Sequence, residues 1–482
     1  MKLLAEQPKP FYLIFLLEIW ERFGFYTLNA LAVLFMVQSL GYTDKMADIL
    51  FTSFMALAFL FPSVGGFIGD RVLGTKRTII VGLVVLMIGY ALLSIPAVTH
   101  YSISLPLAVI AVGTGIFKPN PSSMLSKVYE GTSYSRDSGF TLYYMAINIG
   151  MMLATIVAPI IQKHLGWHAA FSASVIGMIL ANGSYFFMRE TILPYGSPAD
   201  AIPLNFVRVT GLLVLGVGVT LLCWFLLRHN YYISWLLGCG ITLFILFFIY
   251  EIFRAEKKER NGMILFLILF IQAIIFFVMY FQIPTSLTLF ALRNVRHSLW
   301  GMTIHPAQYQ ALNPIWIFIM SPILASLYNR LTAKNKDFSI PAKFALGILL
   351  TGFSFIIIPF GSLTASQGIL SGWWLVLAYW FESTGELLVS ALGLSLVARY
   401  VPQRMMGYTM GLWFVCVSIA SVIGGHVASL ASIPENLVHN PKLSLSIYNH
   451  IFLMLGFVTI LISVVLFLFV PLLNKLAVPK QG

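Results

Sequence analysis

Glu18, Glu21 and Arg22 stand inside an apolar stretch near the start of the chain. Their spacing of i, i+3 and i+4 places all three side chains on one face of a helix. Two carboxylates that share one guanidinium compete for it, so we expect at least one of them to gain and lose a proton. The alternative is a buried ion-pair triad that only fixes helix packing. Reversible protonation is the first chemistry that the sequence suggests.

A lysine stands in a second apolar stretch. Lys118 is followed by Pro119 and Pro121, which interrupt the backbone hydrogen bonds of a helix. A buried ammonium there requires an anion, either Glu18 and Glu21 or the carboxylate of a ligand. The alternative is a lysine whose flexible stem carries the charge out to water.

Two more glutamates lie far along the chain, again among apolar residues. Glu382 and Glu386 are one helical turn apart, with no base close in sequence. Like charges at this spacing disfavour the ionisation of both carboxylates. An ammonium group on a ligand would relieve the repulsion, whereas the alternative is a protonated carboxyl that is hydrogen-bonded in the core. We expect the remaining charges near helix ends or in loops.

Residues 65–77 end the second apolar stretch with an acid and several bases. Gly65 and Gly69 permit close contact between helices. Asp70 and Arg71 are candidates for a gate that forms in one conformation only, or for a static anchor of the loop. No nucleophile, cofactor or metal motif accompanies these residues, so we expect neither an enzyme nor a bound cofactor or metal.

The elements that carry these charges are strongly apolar. Hydrophobic residues make up 59% of the 482 residues and charged residues 10%, and the mean hydropathy is +0.89. Apolar stretches of roughly 20 residues, enough to cross a bilayer, recur along the chain. Lipid offers no partner to unpaired backbone groups, so the spans must be helices. The composition predicts an all-α polytopic membrane protein.

We count 14 spans, centred near residues 26, 58, 88, 113, 150, 178, 217, 243, 275, 320, 351, 385, 418 and 461. An even count puts both termini on the same side of the membrane. Lys and Arg concentrate in the loops of that side, which predicts cytoplasmic termini. The net charge of +12 is therefore a topology signal, and we expect no nucleic acid partner.

Two interruptions divide this series of spans. A Pro- and Gly-rich stretch at residues 190–204 and a charged stretch at 255–262 flank two spans without charges near their centres. We predict a six-helix bundle in residues 1–190, a linker with two inserted helices in 191–258 and a second six-helix bundle in 259–482. Two bundles of six resemble the major facilitator superfamily, whose sites lie near the bilayer midplane between the halves.

Several motifs together resemble the proton-dependent oligopeptide transporter family, and most closely its bacterial dipeptide and tripeptide permeases. The first apolar stretch matches the family signature of two glutamates, an arginine and a phenylalanine before a tyrosine. The other matching stretches are residues 65–77, 117–123, 140–148, 310–316, 385–386 and 401–404. The match covers essentially the whole chain.

The resemblance implies a proton symporter that imports di- and tripeptides by alternating access. In the family, the first-helix acids and the fourth-helix lysine serve proton coupling, which here are Glu18, Glu21, Arg22 and Lys118. The residues that the resemblance and our own conjecture assign to substrate binding are Tyr26, Asn29, Lys118, Tyr144, Asn148, Gln282, Asn313, Glu382, Glu386 and Trp413. Among them, Glu386, Asn148 and Asn313 are expected to hold the peptide's amino end.

The chain departs from the family pattern at four positions. Phe25 and Phe59 stand where many members have tyrosine, which removes two hydroxyl groups. Asn29 stands where some members have arginine, so Lys118 is the main cation for a peptide carboxylate. Gln282 stands where several members have a seventh-helix glutamate. We conjecture that Glu382 supplies a second protonation site instead.

The sequence and the resemblance thus predict these partners: small peptides, protons and the lipid of a bacterial inner membrane, with the chain as a monomer. Two alternatives remain at this point. One keeps the fold and changes the cargo to nitrate, an amino-acid conjugate or a peptidomimetic. The other is a nutrient sensor that transports nothing.

Overall fold

The structure is a computed structural model that describes residues 6–130, 134, 136–203, 205–299, 301–334, 336–390, 400–401 and 406–476. Nearly all of these residues are helical, and β1 (Ser298–Leu299) and β2 (Met302–Thr303) form a short antiparallel hairpin. The predicted all-α polytopic fold is confirmed. Of the stretch 401–404 that contributed to the family resemblance, residues 402–404 lie outside the described residues.

The described residues of the first half of the chain form nine α-helices. They are α1 (Lys9–Gln38), α2 (Asp44–Leu60), α3 (Pro62–Phe67), α4 (Thr75–Ser94), α5 (Ser104–Phe117), α6 (Pro119–Tyr129), α7 (Arg136–Leu165), α8 (Trp167–Met188) and α9 (Phe206–Arg228). A π-helical turn, Ile68–Val72, follows α3. The prolines at the starts of α3 and α6 are tolerated because the first helical N–H groups need no intrahelical partner.

Eight more described α-helices follow. They are α10 (Asn230–Arg254), α11 (Lys257–Tyr280), α12 (Ser286–Asn294), α13 (Leu312–Ala333), α14 (Ile340–Ser362), α15 (Trp373–Val389), α16 (Met406–Ser429) and α17 (Pro441–Leu476). Each of the 14 predicted span centres falls inside a described helix. Within the described part of the chain, 10 helices are long and apolar enough to cross a membrane. The count of 14 spans stays a prediction, since α1, for example, carries charge near its middle.

The chain divides into two compact units. The first comprises Met1–Tyr42 and Ser53–Ile233, and the second Thr43–Thr52 and Ser234–Gly482. Of the two inserted helices, α9 lies in the first unit, where it packs against α5, and nearly all of α10 lies in the second. The division into residues 1–190, 191–258 and 259–482 stays a prediction.

Glycines bring the helices of the first unit close together. A Cβ atom at Gly65 would overlap the carbonyl oxygen of Gly115, and a Cβ atom at Gly69 would overlap the side chain of Asn120. The Asn120 amide donates to the Gly65 carbonyl at 3.2 Å. The predicted close contact at Gly65 and Gly69 is confirmed, and it fixes α3 and the π-turn against the break between α5 and α6.

Aromatic side chains form much of the core of the second unit. Phe290 of α12, Phe355 of α14 and Phe452 of α17 meet edge to face, with ring centroids 5.5 to 5.6 Å apart. Tyr448 packs on the same cluster, 5.2 Å from Phe290. Such pairs add stability beyond the apolar area that they bury, so they tie α12, α14 and α17 into one body.

The stretch between α8 and α9 is docked on the start of α4. Ser197 accepts a hydrogen bond from the Thr75 backbone N–H at 3.2 Å, and Asp200 accepts one from Lys76 at 3.1 Å. The Lys76 ammonium donates to the Leu193 carbonyl at 2.9 Å. A helix leaves its first N–H groups without intrahelical partners. This segment therefore caps α4 from more than a hundred residues away, in addition to linking two spans.

We predict that Asp200→Ala lowers the free energy of unfolding by about 1–2 kcal/mol, because it removes a capping carboxylate. The measurement is thermal unfolding of the purified protein in detergent. Glu190→Ala is the matched control, since Glu190 is an exposed acid of the same segment. Equal stability of the two variants would contradict the capping role.

Candidate functional site

The acids and the base of α1 form a fully buried ion-pair cluster. Arg22 Nε lies 3.3 Å from Glu18 Oε1, and Arg22 Nη2 lies 2.5 Å from Glu21 Oε2. The exposed fraction is 3% for Glu18, 0% for Glu21 and 3% for Arg22. The predicted shared face is confirmed, since one guanidinium contacts both carboxylates.

The two carboxylates differ in how well they are satisfied. Glu18 Oε2 accepts a hydrogen bond from the Tyr143 hydroxyl at 2.6 Å, in addition to the contact of Oε1 with Arg22. Glu21 Oε1 has no hydrogen-bond partner among the described residues. A buried acceptor without a partner carries a desolvation cost that a proton would remove. Glu21 is therefore the better placed of the two to take up a proton.

Close helix packing positions this cluster. Gly150 of α7 lies against α1, where an added Cβ atom would come within 2.7 Å of Arg22 Cβ and 2.6 Å of the Ile19 carbonyl oxygen. Any larger residue would push the two helices apart. The same approach brings Tyr143 of α7 to Glu18. Sequence reasoning missed Tyr143 and selected its neighbour Tyr144, although both follow Phe140 in one of the matching stretches.

Lys118 lies at the junction of α5 and α6, and its side chain faces the cluster on α1. It interacts electrostatically with Arg22, Glu21 and Glu18. The expectation that it stands near the first-helix glutamates is thus met. Its backbone N–H still donates to the Thr114 carbonyl in the last turn of α5 at 2.9 Å. Pro119 contributes no donor, so the helix breaks directly after the charge.

Both phenylalanines that replace a family tyrosine lie against a cation of this cluster. The Lys118 ammonium is 3.8 Å from the ring centroid of Phe59, and the Arg22 guanidinium carbon is 5.0 Å from that of Phe25. The face of an aromatic ring attracts cations, most strongly where water is absent. The two phenylalanines therefore lack the hydroxyl groups, but their ring faces still stabilise the buried cations.

The acids of α15 are buried in the second unit. The Asn313 amide of α13 donates to Glu386 Oε2 at 2.8 Å and to the Ser383 hydroxyl at 3.1 Å. Glu382 Oε2 accepts from the Ser354 hydroxyl at 3.2 Å, and Glu382 Oε1 has no hydrogen-bond partner within the described ranges. The structure thus brings together Glu386 and Asn313, as the resemblance implies, and no base forms a described ion pair with either acid.

The remaining substrate-binding candidates of the first unit lie on α1 and α7. Tyr26 packs edge to face on Phe25 at 5.5 Å, and Asn29 is half-buried one turn further on. Tyr144 is exposed, and the Asn148 amide donates to the Tyr144 carbonyl at 3.0 Å. Their roles in binding stay predictions.

Two candidates of the second unit lie in its packed interior. Gln282 is fully buried, its amide donates to the carbonyls of Val278 and Gly424 at 3.0 and 3.1 Å, and its oxygen accepts from Ser286 at 2.8 Å. This side chain ties α11 to α16, and we see no unused polar atom on it for a ligand. Trp413 of α16 is also buried, with its ring 6.1 Å from that of Phe277.

The proposed gate residues do not pair with each other. Asp70 lies in the π-turn and forms an exposed ion pair with Lys127 of α6 at 3.4 Å, while Arg71 is exposed. Lys127 also donates to the Thr75 hydroxyl at 3.2 Å. The structure adds Lys127, 57 residues away, as the partner of Asp70. A gating role for Asp70 and Arg71 stays a prediction.

We predict that Phe59→Leu lowers the free energy of unfolding by about 1–2 kcal/mol, because the Lys118 ammonium loses an aromatic face. Phe59→Tyr, which keeps the ring, is the control. Thermal unfolding of Phe59→Leu, Lys118→Met and the double variant completes a double-mutant cycle. If the two effects simply add, the ring and the ammonium do not interact.

Comparison with known proteins finds relatives that match nearly the whole chain. A family model described as the POT family matches residues 76–444, and one described as MFS/sugar transport protein matches residues 3–134. The chain is 43% identical over 484 residues to dipeptide and tripeptide permease B of Aliivibrio fischeri (strain MJ11), covering 99% of this chain and 97% of the relative. It is 42% identical over 474 residues to dipeptide and tripeptide permease A of Escherichia coli (strain K12), with coverage of 98% and 94%.

Solved structures share the fold over nearly the whole chain. A bacterial homologue of the human drug peptide transporters PepT1 and PepT2 superposes with a TM-score of 0.87 at 36% identity, covering 98% of this chain and 100% of that one. A structure described under substrate recognition in proton dependent oligopeptide transporters gives 0.85 at 37% identity, with coverage of 97% and 99%. The resemblance inferred from sequence motifs is confirmed: the chain belongs to the POT family of membrane transporters.

Proposed function

We propose that the chain imports di- and tripeptides together with protons across the bacterial inner membrane, with both termini in the cytoplasm. The observation that carries this proposal is the fully buried cluster of Glu18, Glu21 and Arg22 next to Lys118. Relatives that match along nearly the whole chain are named dipeptide and tripeptide permeases. Charges buried at this depth in a membrane protein mark ion pathways and proton relays more often than packing.

Charge balance supports coupling between the peptide and the proton. Two acids and two bases sum to zero, and a buried site strongly disfavours net charge. A peptide carboxylate drawn to the Lys118 ammonium adds one negative charge. Uptake of one proton by Glu21 restores neutrality, so the peptide and the proton bind better together than either does alone.

The acid pair of the second unit supports recognition of the peptide's amino end. Glu386 is held by Asn313 and has no described ion-pair partner, so a ligand ammonium would supply the missing positive charge. A charge-assisted hydrogen bond of this kind is stronger than a neutral one. Recognition of the two backbone ends, which all small peptides share, would leave side chains loosely selected.

We predict that Glu21→Gln abolishes proton-driven accumulation of dialanine while sparing exchange of labelled for unlabelled peptide. The amide mimics the protonated acid permanently, and exchange requires no net proton cycle. The measurement is uptake into proteoliposomes with and without an inward proton gradient; the variant should reach only the level seen without the gradient.

Glu190→Gln is the matched control for that experiment, because Glu190 is an exposed acid outside both the cluster and the predicted gate. Loss of both accumulation and exchange in Glu21→Gln would mean that the residue only supports the fold. Uptake of dialanine by the unchanged protein without accompanying acidification of the lumen would defeat proton coupling itself. Binding of nitrate or a peptidomimetic, with no uptake of any small peptide, would favour another cargo.

We predict that Glu386→Gln weakens dipeptide binding by about ten- to hundredfold, because the ligand ammonium then donates to an uncharged amide oxygen instead of a carboxylate. The affinity of a dipeptide analogue without its amino group should change little. Competition against labelled dialanine measures both ligands, with Glu435→Gln, a change at an exposed acid of the second unit, as the control. Equal losses for the two ligands would exclude the amine contact.

A further inference from the structure

Two acids one turn apart at the start of α2 are buried in the second unit. The exposed fraction is 3% for Asp44 and 1% for Asp48. Both were expected near a helix end, where water would surround them. Their burial raises the question of how two carboxylates are balanced there.

Asp44 is fully provided with partners. Both of its oxygens accept from the guanidinium of Arg293 on α12, with Arg293 Nη2 at 2.7 Å from Asp44 Oδ1 and Nη1 in close contact with Oδ2. The backbone N–H of Ile433 also donates to Oδ2, at 3.0 Å. Arg293 Nη1 donates further to the Tyr448 hydroxyl at 3.1 Å. A bidentate pair of this kind is the strong form of an Arg–carboxylate contact.

Asp48 has none of these bonds. Neither carboxylate oxygen of Asp48 has a hydrogen-bond partner among the residues that the structure describes, and the same holds for Arg293 Nε. The carboxyl group is nevertheless within electrostatic reach of Asp44 and Arg293. One guanidinium thus lies within reach of two acids. Its Nη1 and Nη2 atoms bond Asp44, while its Nε–H has no described partner.

Among the described residues, the groups packed around Asp48 supply no further positive charge. Tyr448 on α17 interacts electrostatically with Asp48, but its hydroxyl already accepts a hydrogen bond from Arg293. Helix α16 approaches α2 through Gly425, where a Cβ atom would overlap the Thr52 hydroxyl. Next to it, the exposed His426 ring bonds the Val422 carbonyl of its own helix. Thr52 itself donates to the Asp48 backbone oxygen at 2.7 Å rather than to the carboxyl group.

A buried carboxylate without hydrogen bonds is far costlier than a neutral carboxylic acid in the same place. With both acids ionised, the group of Asp44, Asp48 and Arg293 carries one net negative charge; with Asp48 protonated, it is neutral. We propose that Asp48 is a proton-binding site, distinct from the cluster on α1, that is occupied while Asp44 holds Arg293.

Release of the proton follows from the same geometry. The O–H bond of the Asp48 carboxyl breaks, the proton passes to water, and the carboxylate that remains is compensated by Arg293 through its unused Nε–H. Because one guanidinium then serves two carboxylates, its hold on Asp44 weakens. Proton loss from Asp48 and loosening of the contact between α2 and α12 are therefore linked.

Infrared difference spectroscopy of the purified protein tests the site without any transport assay. At neutral pH, Asp48→Asn should remove a carboxylic acid C=O band that shifts in heavy water. In an Asp44→Asn background, Arg293 is released to Asp48, so adding Asp48→Asn should remove a carboxylate band instead. An acid band unchanged by Asp48→Asn would overturn the proposal, because Asp48 would then be ionised.

Stability provides a second measurement. If Asp48 is neutral, Asp48→Asn and the apolar Asp48→Leu should both keep the melting temperature close to that of the unchanged protein. Asp44→Asn should lower it clearly, because it leaves Arg293 without its bidentate partner. A loss in both Asp48 variants as large as that in Asp44→Asn would mean that Asp48 is an ionised partner of Arg293, contrary to the proposal.

The role of the site in transport rests on the proposed function and is tested separately. On the predicted topology, the start of α2 faces the outside of the cell. Asp48→Asn should then flatten the dependence of dialanine uptake on external pH, whereas an unchanged profile would remove Asp48 from the transport cycle. If the unchanged protein moves no peptide, the proposed function fails, and the infrared result still decides whether Asp48 binds a proton.

Discussion

A charge that is removed from water must be neutralised by its neighbours, and this constraint governs the functional parts of the molecule. Arg22 can be buried because two carboxylates lie on the same face of α1, and they can be buried because Arg22 is there. The balance holds only if α7 comes close enough to shield the group, which requires a glycine at position 150. The packing of α1 against α7 thus follows from the electrostatics as much as from apolar contact.

The number of hydrogen bonds that a buried carboxylate accepts separates structural charges from charges suited to move protons. Asp44 has a partner for each oxygen, and its ion pair with Arg293 joins the start of α2 to α12. Glu21, Asp48 and Glu382 each keep at least one buried oxygen without a hydrogen bond in the described part of the chain. A fully bonded carboxylate gains nothing from a proton, whereas an incompletely bonded one does. The same side-chain type therefore takes two roles, set by how many donors surround it.

Local patterns carried much of the prediction. The i, i+3, i+4 spacing on α1 was enough to predict one shared guanidinium, and the apolar runs located the helices. The pairing of Glu386 with Asn313 came only from the family resemblance, because 73 residues separate the two in sequence. The cap of α4 by Asp200 and the bond of Asp44 to Arg293 span 124 and 249 residues. Nothing in a single sequence records such long-range partners, so the sequence predicts Asp48, too, only as an ordinary charge near a helix end.

The two phenylalanines beside the cations have a consequence for how protons travel. A tyrosine hydroxyl can relay a proton, but a phenylalanine ring has no exchangeable hydrogen. Phe25 lies against Arg22 and Phe59 against Lys118. Neither ring can pass a proton to the cluster. Within the described part of the chain, Tyr143 is the hydroxyl bonded to Glu18. The Tyr143 phenol is therefore a path by which a chain of hydrogen bonds can reach the carboxylate of Glu18.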